Sequence, residues 1–187
     1  DLRAVCDKYG LLLYLDGARL GYGMADRAND IDLPFLYKVC DVFYIGGTKQ
    51  GALMGEAVVI RNETLKKDFR YMIKQRGGMF AKGRLLGIQF LELFRDGAYF
   101  KLAEHADRLA DDVRKAFADK GYRFLVQSGT NQIFAIVPND AMEKLNKKYV
   151  SSNNGPYDEK HTVLRFCTSW ATNPADVEEL IEDIKAL

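Results

Sequence analysis

Residues 11–19 read Leu-Leu-Leu-Tyr-Leu-Asp-Gly-Ala-Arg, and the break at Asp16 decides how the fold is read. Five apolar residues of strand length stop at an acid and a glycine, the pattern of a buried strand that hands the chain to a surface turn. Two further runs repeat it. Val42-Phe43-Tyr44-Ile45 stops at Gly46-Gly47, and Ala57-Val58-Val59-Ile60 stops at Arg61-Asn62. Near-continuous apolar strands separated by helical segments are what a sheet covered on both faces produces, so the architecture is expected to be α/β. Ahead of the first run, residues 1–9 have helical character, with Leu2, Val5 and Cys6 on one face and Gly10 suited to a left-handed position after the last turn.

Beyond residue 62 the pattern changes. Residues 62–75 predict a helix with a basic face of Lys66, Lys67, Arg70 and Lys74, broken by Gly77-Gly78. An apolar helix is expected from about Met79 to Phe94, and a second one carries Leu102, Ala106, Leu109, Val113 and Phe117 at helical spacing. Two strands (123–127 and 132–137), a short helix (140–149), a polar loop (151–156) and a third strand (162–167) follow. Asn173 as N-cap, Pro174 behind it and acids in the first turn mark the last helix. The expected division is residues 1–78 as part of a larger domain and 79–187 as a small α+β domain.

The 187 residues carry 27 Lys+Arg against 26 Asp+Glu, a net charge of +1. That balance argues against a binder driven by bulk charge, whether to nucleic acid or to anionic membranes. With 48% hydrophobic residues the chain has too much apolar material to stay disordered. No apolar run approaches the roughly 20 residues of a membrane span. The start, DLRAVCDKYG, lacks Met and reads as the interior of a helix, so a chain beginning partway through a domain is expected. Cys6, Cys40 and Cys167 are far apart and form no CxxC pair; buried free thiols in a reducing, cytoplasmic setting are expected.

The chemistry concentrates between Leu15 and Gly51. One strand delivers Asp16, then Arg19, to its carboxyl end, and a second delivers Gly46-Gly47-Thr48-Lys49 to the same edge, where open α/β sheets place their ligands. An acid, a guanidinium and an amine then share a cleft, and two glycines let backbone approach a ligand closely. Ordinary causes fit as well: Asp at a strand end caps helices, Asp and Arg three apart form surface pairs, and a Lys in a glycine-rich turn is usually solvated. Spacing alone leaves both open. The GxxxxGK[ST] spacing of a phosphate loop is absent.

LYLDGARLGYG, then DVFYIGGTKQGALMGEAVVI, then LRFCTSWATNPADVEELI resemble, in that order and across essentially the whole chain, the low-specificity L-threonine aldolases of the β-eliminating-lyase group. The resemblance implies a fold-type-I, aspartate-aminotransferase-like enzyme dependent on pyridoxal 5'-phosphate (PLP), here its C-terminal portion: the end of the large domain plus the small α+β domain. It implies that Lys49 forms the Schiff base with the cofactor, that Asp16 faces the pyridine nitrogen, and that Arg19 lies near the phenolic oxygen and reaches the substrate carboxylate. It makes Arg165 the clamp on the α-carboxylate. Alternation setting Val163, Arg165 and Cys167 on one strand face suits that role, although a strand-face pair is the ordinary alternative. The implied reaction splits a β-hydroxy-α-amino acid, threonine giving glycine and acetaldehyde, in a homodimer or homotetramer, with no metal.

The family's phosphate-binding segment, ring-stacking His and the His near the β-hydroxyl lie upstream of Asp-Gly-Ala-Arg and have no counterpart in these residues. His105 and His161 read as surface or structural groups, and Thr130-Asn131-Gln132 as turn chemistry. Met79 is followed by Phe80 where an Arg is usual, and Gln50 stands where Gly is frequent. Two other readings stay open: a PLP-dependent β-eliminating lyase or aminotransferase, and an inactive fragment acting as a folded oligomerisation unit.

Overall fold

The apolar runs become strands and their flanks become turns. The computed structural model describes residues 1–187, in two compact units: Asp1–Met24 with Asn29–Tyr99, and Ala25–Ala28 with Phe100–Leu187. The first contains α1 (Leu2–Lys8), β1 (Tyr14–Leu15), α2 (Leu20–Ala25, whose last residue falls in the second unit), α3 (Leu33–Val39), β2 (Val42–Ile45), β3 (Ala57–Ile60), α4 (Phe69–Gln75) and α5 (Arg84–Phe94). Asp32 starts α3 by accepting the Phe35 N–H at 2.7 Å, and Gly10 adopts φ +62° behind α1.

The sheet order is β1-β2-β3. β1 runs parallel to β2 with Tyr14 beside Val42 and Leu15 beside Phe43. β3 returns antiparallel, with Ile45 beside Ala57. The strands are not buried on both faces as expected: β2 buries Phe43 and Ile45 and leaves Val42 and Tyr44 partly open. Only two residues of the first apolar run pair as strand, because the Leu13 N–H turns aside to the Asp41 carboxylate at 2.8 Å. Asp41 also accepts from Arg3 at 2.7 Å, Arg61 at 3.1 Å and Asn62 at 3.3 Å. These donors, the Leu13 N–H first, hold its carboxyl down at about 2.

The expected helix over 62–75 is two pieces, a 3-10 turn at Glu63–Leu65 and α4, separated by Asp68 at φ +57°. α5 begins at Arg84 and groups with the first compact unit, which runs to Tyr99. Its side chains explain the grouping. Gln89 Oε1 accepts the Leu53 N–H at 2.6 Å, Leu86 packs on Gly55, and Phe90 lies so close to Gly47 that a Cβ there would meet its ring at 2.8 Å.

The second unit holds most of α6 (Ala98–Asp119), then β4 (Arg123–Phe124), β5 (Gln132–Pro138), α7 (Asn139–Leu145), β6 (Ser152–Pro156), β7 (His161–Cys167) and α8 (Pro174–Lys185). Its antiparallel sheet has the order β4-β5-β7-β6. One face buries Ile133, Ala135, Leu164 and Phe166 against Leu109, Val113 and Phe117 of α6 and Val177, Leu180 and Ile184 of α8. Asn173 caps α8 through the Ala175 N–H at 3.1 Å. The polar stretch expected as a loop is the edge strand β6, pairing Ser152 with Arg165 and Asn153 with Leu164. It keeps its glycine and proline by bulging at the sheet edge. Cys6 and Cys40 are buried, but Cys167 is exposed, because alternation at the end of β7 turns it away from the Phe166 face.

Asp107 on α6 breaks the apolar pattern of this interior. It is 5% exposed, and no side chain donates a hydrogen bond to its carboxylate. Burial, with added repulsion from Asp26 and Asp111, pushes its carboxyl up to about 8.

Candidate active site

Because β1 and β2 are parallel neighbours, their carboxyl ends meet at one edge, and the backbone joins them there. The Gly46 N–H donates to the Gly17 carbonyl at 2.9 Å. No side chain fits between the two turns: a Cβ on Gly17 would lie 1.6 Å from the Tyr44 carbonyl oxygen, and one on Gly46 would lie 2.5 Å from the Gly17 oxygen. The glycines therefore bring Asp16-Gly17-Ala18-Arg19 against Gly46-Gly47-Thr48-Lys49, as the sequence suggested.

Asp16 is exposed at the end of β1. Its Oδ1 accepts the Tyr44 hydroxyl and the Ala18 N–H, the latter at 3.1 Å. These two bonds, together with the nearby Lys49 charge, hold the carboxyl below its ordinary range. Tyr44 is pushed up to about 12, chiefly by the same bond. Asp16 is thus an ionised group with one oxygen anchored and Oδ2 left without a protein donor.

Lys49 is exposed in a tight turn in which the Gln50 and Ala52 amides both donate to the Gly47 carbonyl, at 2.9 and 3.0 Å. The turn is clasped from β3's leading edge. Glu56 accepts the Gly47 N–H with one oxygen and the Thr48 hydroxyl with the other, at 2.9 Å for the latter. Neither the Lys49 amine nor the Arg19 guanidinium is bonded to any protein group. Sequence reading missed Tyr44 and Glu56. The parallel register carries a signal for the first, since continuing it by one residue sets Tyr44 beside Asp16.

Arg165 lies in the second unit, on β7. Its Nη2 donates to Ser152 Oγ at 3.1 Å across the strand pair, and no acidic side chain pairs with it, so the ordinary strand-face ion pair is absent. The other candidates have structural work. His105 Nε2 lies 3.0 Å from the Thr172 carbonyl, and His161 Nδ1 lies 2.8 Å from Asp158. Asn131 donates to the Thr168 carbonyl at 2.7 Å and is buried.

Asp16, Arg19 and Lys49 fit PLP by the chemistry of their free groups. An anchored carboxylate suits a protonated ring nitrogen, an amine suits an aldehyde, and a guanidinium suits an anionic oxygen. No cluster of three or more His, Cys, Asp or Glu is placed to hold a metal ion, and no helix is long and apolar enough to cross a membrane.

Comparison with known proteins places the chain among relatives of a single kind over its whole length. The chain is 33% identical over its whole length to the low specificity L-threonine aldolase of a Pseudomonas species, of which it covers 53%. It superposes on a solved threonine aldolase of Leishmania major with a TM-score of 0.96 and 38% identity, covering all of this chain and 54% of that one. A Sphingomonas wittichii serine palmitoyltransferase, 14% identical with a TM-score of 0.68, covers 99% of this chain and 49% of its own and shares the fold alone. The chain spans about half the length of the relatives it matches. The model of the beta-eliminating lyases matches residues 1–138. With its two glycine-joined strand ends and their acid, guanidinium and amine, the chain belongs to the beta-eliminating lyase family.

Proposed function

We propose that this protein is a PLP-dependent aldehyde-lyase that cleaves threonine or allo-threonine to glycine and acetaldehyde. The observation that carries the reading is the set of three unbonded groups, Asp16 Oδ2, the Arg19 guanidinium and the Lys49 amine, at the joined ends of β1 and β2. When bound, PLP supplies an electron sink for the charge left on the substrate's α-carbon as the Cα–Cβ bond breaks. Asp16 would hold the ring nitrogen protonated, and Tyr44 keeps that carboxylate ionised and oriented. Lys49 would hold the cofactor's aldehyde carbon through its amine. Arg19 and Arg165 would take the substrate carboxylate, Arg165 with its guanidinium steadied by Ser152.

In this reading the first unit is the cofactor-binding part and the second the small domain. A homo-oligomer is part of it, supported by the exposed Leu85, Ile88 and Leu91 on one side of α5. A reducing, cytoplasmic setting is supported by the unpaired buried thiols of Cys6 and Cys40.

The test is absorbance and product. Full-length protein with PLP develops a visible band and releases acetaldehyde from threonine; Lys49→Ala abolishes the band and lowers release by at least about a thousandfold. Pyruvate from serine without acetaldehyde from threonine overturns the aldol reading. Arg165→Ala lowers kcat/KM about 30-fold, the loss of one charge-assisted contact of about 2 kcal/mol. A wild-type kcat/KM removes Arg165 from the substrate.

A further inference from the structure

The Lys49 amine has no protein partner, so the only protein anchor this residue has is the backbone that carries it. That backbone sits in a turn containing Gly51 at φ +104°, a conformation with little intrinsic rigidity. The structure supplies an outside anchor. Tyr22, on α2 three residues beyond Arg19 and only 1% exposed, donates its hydroxyl to the Lys49 carbonyl. A second phenol braces the same two loops. Tyr99 is fully buried; its hydroxyl accepts the Gly21 N–H at 3.2 Å and donates to the Gly46 carbonyl at 2.9 Å. Gln50, adjacent to Lys49, is 1% exposed and donates from Nε2 to the Tyr99 carbonyl at 2.9 Å. Gln50 finds room only because residue 21 is glycine: a Cβ there would sit 2.3 Å from Gln50 Nε2.

We infer that Tyr22 is a positioning residue for Lys49: its buried hydroxyl, fixed to the helix that follows Arg19, sets where the lysine backbone stands relative to the Asp16–Arg19 loop. The inference rests on the reading of Lys49 as the cofactor lysine. Aromatic packing alone would explain a buried ring at position 22, but it does not require the hydroxyl or its aim at the one carbonyl that belongs to Lys49. The hydroxyl acts at a distance from the chemistry, through the peptide unit between Lys49 and Gln50, whose N–H closes the turn on Gly47. With that carbonyl released, the turn opens and the amine samples more positions.

The experiment uses full-length protein carrying Tyr22→Phe, which keeps the ring and removes the hydroxyl that reaches the Lys49 carbonyl. In the cofactor-free protein, hydrogen exchange of a peptide spanning residues 46–52 is expected to quicken about tenfold, the net worth of one hydrogen bond, while peptides of the second unit stay unchanged. In the PLP-loaded enzyme kcat falls about tenfold with KM for threonine within about twofold, and the pH midpoint of the visible band moves. A variant with a lowered melting temperature but unchanged exchange at 46–52, unchanged kcat and an unmoved midpoint overturns the inference. If Tyr22→Phe does not fold, 3,5-difluorotyrosine at position 22, which makes the phenol a stronger donor at nearly constant volume, is expected to slow the same exchange; no change overturns the inference. Lys49→Ala separates the two claims. A visible band that survives it sinks the cofactor-lysine reading itself, whereas a lost band beside a wild-type Tyr22→Phe sinks only the positioning role.

Discussion

Asp41 in the first unit and Asp107 in the second are equally little exposed, at 5% each, yet their carboxyls are driven in opposite directions. Asp41 gathers the Leu13 N–H, Arg3, Arg61 and Asn62 and falls to about 2. Asp107 has no side-chain donor and, chiefly through desolvation, rises to about 8. Surface exposure is the same, but Asp107 lies deeper and is raised first by desolvation and then by the Asp26 and Asp111 charges, whereas Asp41 is held down by its donors. The contrast reflects how each unit closes. The first is a three-stranded sheet with Leu2, Val5, Leu12 and Tyr14 still exposed along its β1 side, and it is tied by polar hubs. The second closes on a continuous apolar cluster around Phe117, whose ring lies 5.7 Å from that of Phe166.

Three measurements bear on that contrast. The largest effect is expected in the apolar unit: Phe117→Ala should cost about 4 kcal/mol, the loss of a fully buried aromatic, seen as a lower urea midpoint for the second unit's transition. A loss under about 1 kcal/mol would mean that the cluster does not govern this unit. Next, Asp41→Ala should cost about 3 kcal/mol, because it strands Arg3 and the Leu13 amide, with faster hydrogen exchange across α1 and β2. A neutral outcome would show that the polar hub is ornamental.

The smallest effect is a slope. Asp107, raised above its unfolded value of 3.8, contributes stability that is full below about pH 4 and lost as pH rises toward 8. Asp41, lowered from 3.8, contributes stability present above about pH 4 and lost as pH falls toward 2. Urea unfolding at a series of pH values should therefore find the second unit weakening by up to about 1 kcal/mol per pH unit between 5 and 8. Asp107→Asn should flatten that decline and leave the first unit's acid limb intact. An unchanged slope would place the titrating group elsewhere.

Much of this was legible in the sequence wherever the cause is local. Asp16 and Lys49 stand at strand ends because apolar runs stop there, and Asn173-Pro174 starts α8 because a cap needs only its next three residues. What escaped depends on partners far along the chain. Ser152–Pro156 has poor strand propensity and becomes β6 only because β7 offers it an edge. The grouping of α5 with the first unit is set by Phe90, Leu86 and Gln89 meeting residues 47–55, contacts far along the chain from the local break at Gly77-Gly78. Tyr44 and Glu56 escaped because a hydroxyl on a strand, or a carboxylate just ahead of one, gives no periodic signal of what it will grip. Gln50 looked like a mild departure, yet it is buried in the space a glycine leaves.

The pair Gly17 and Gly46 has a consequence for how the chain can vary. A Cβ on Gly17 would meet the Tyr44 carbonyl and one on Gly46 the Gly17 and Ala18 carbonyls, so backbone atoms rather than side chains stand in the way. Compensation by a second change elsewhere is therefore closed off, since no replacement side chain can move a carbonyl aside. In a saturation library each of the two positions would keep glycine alone, while the residues around them drift.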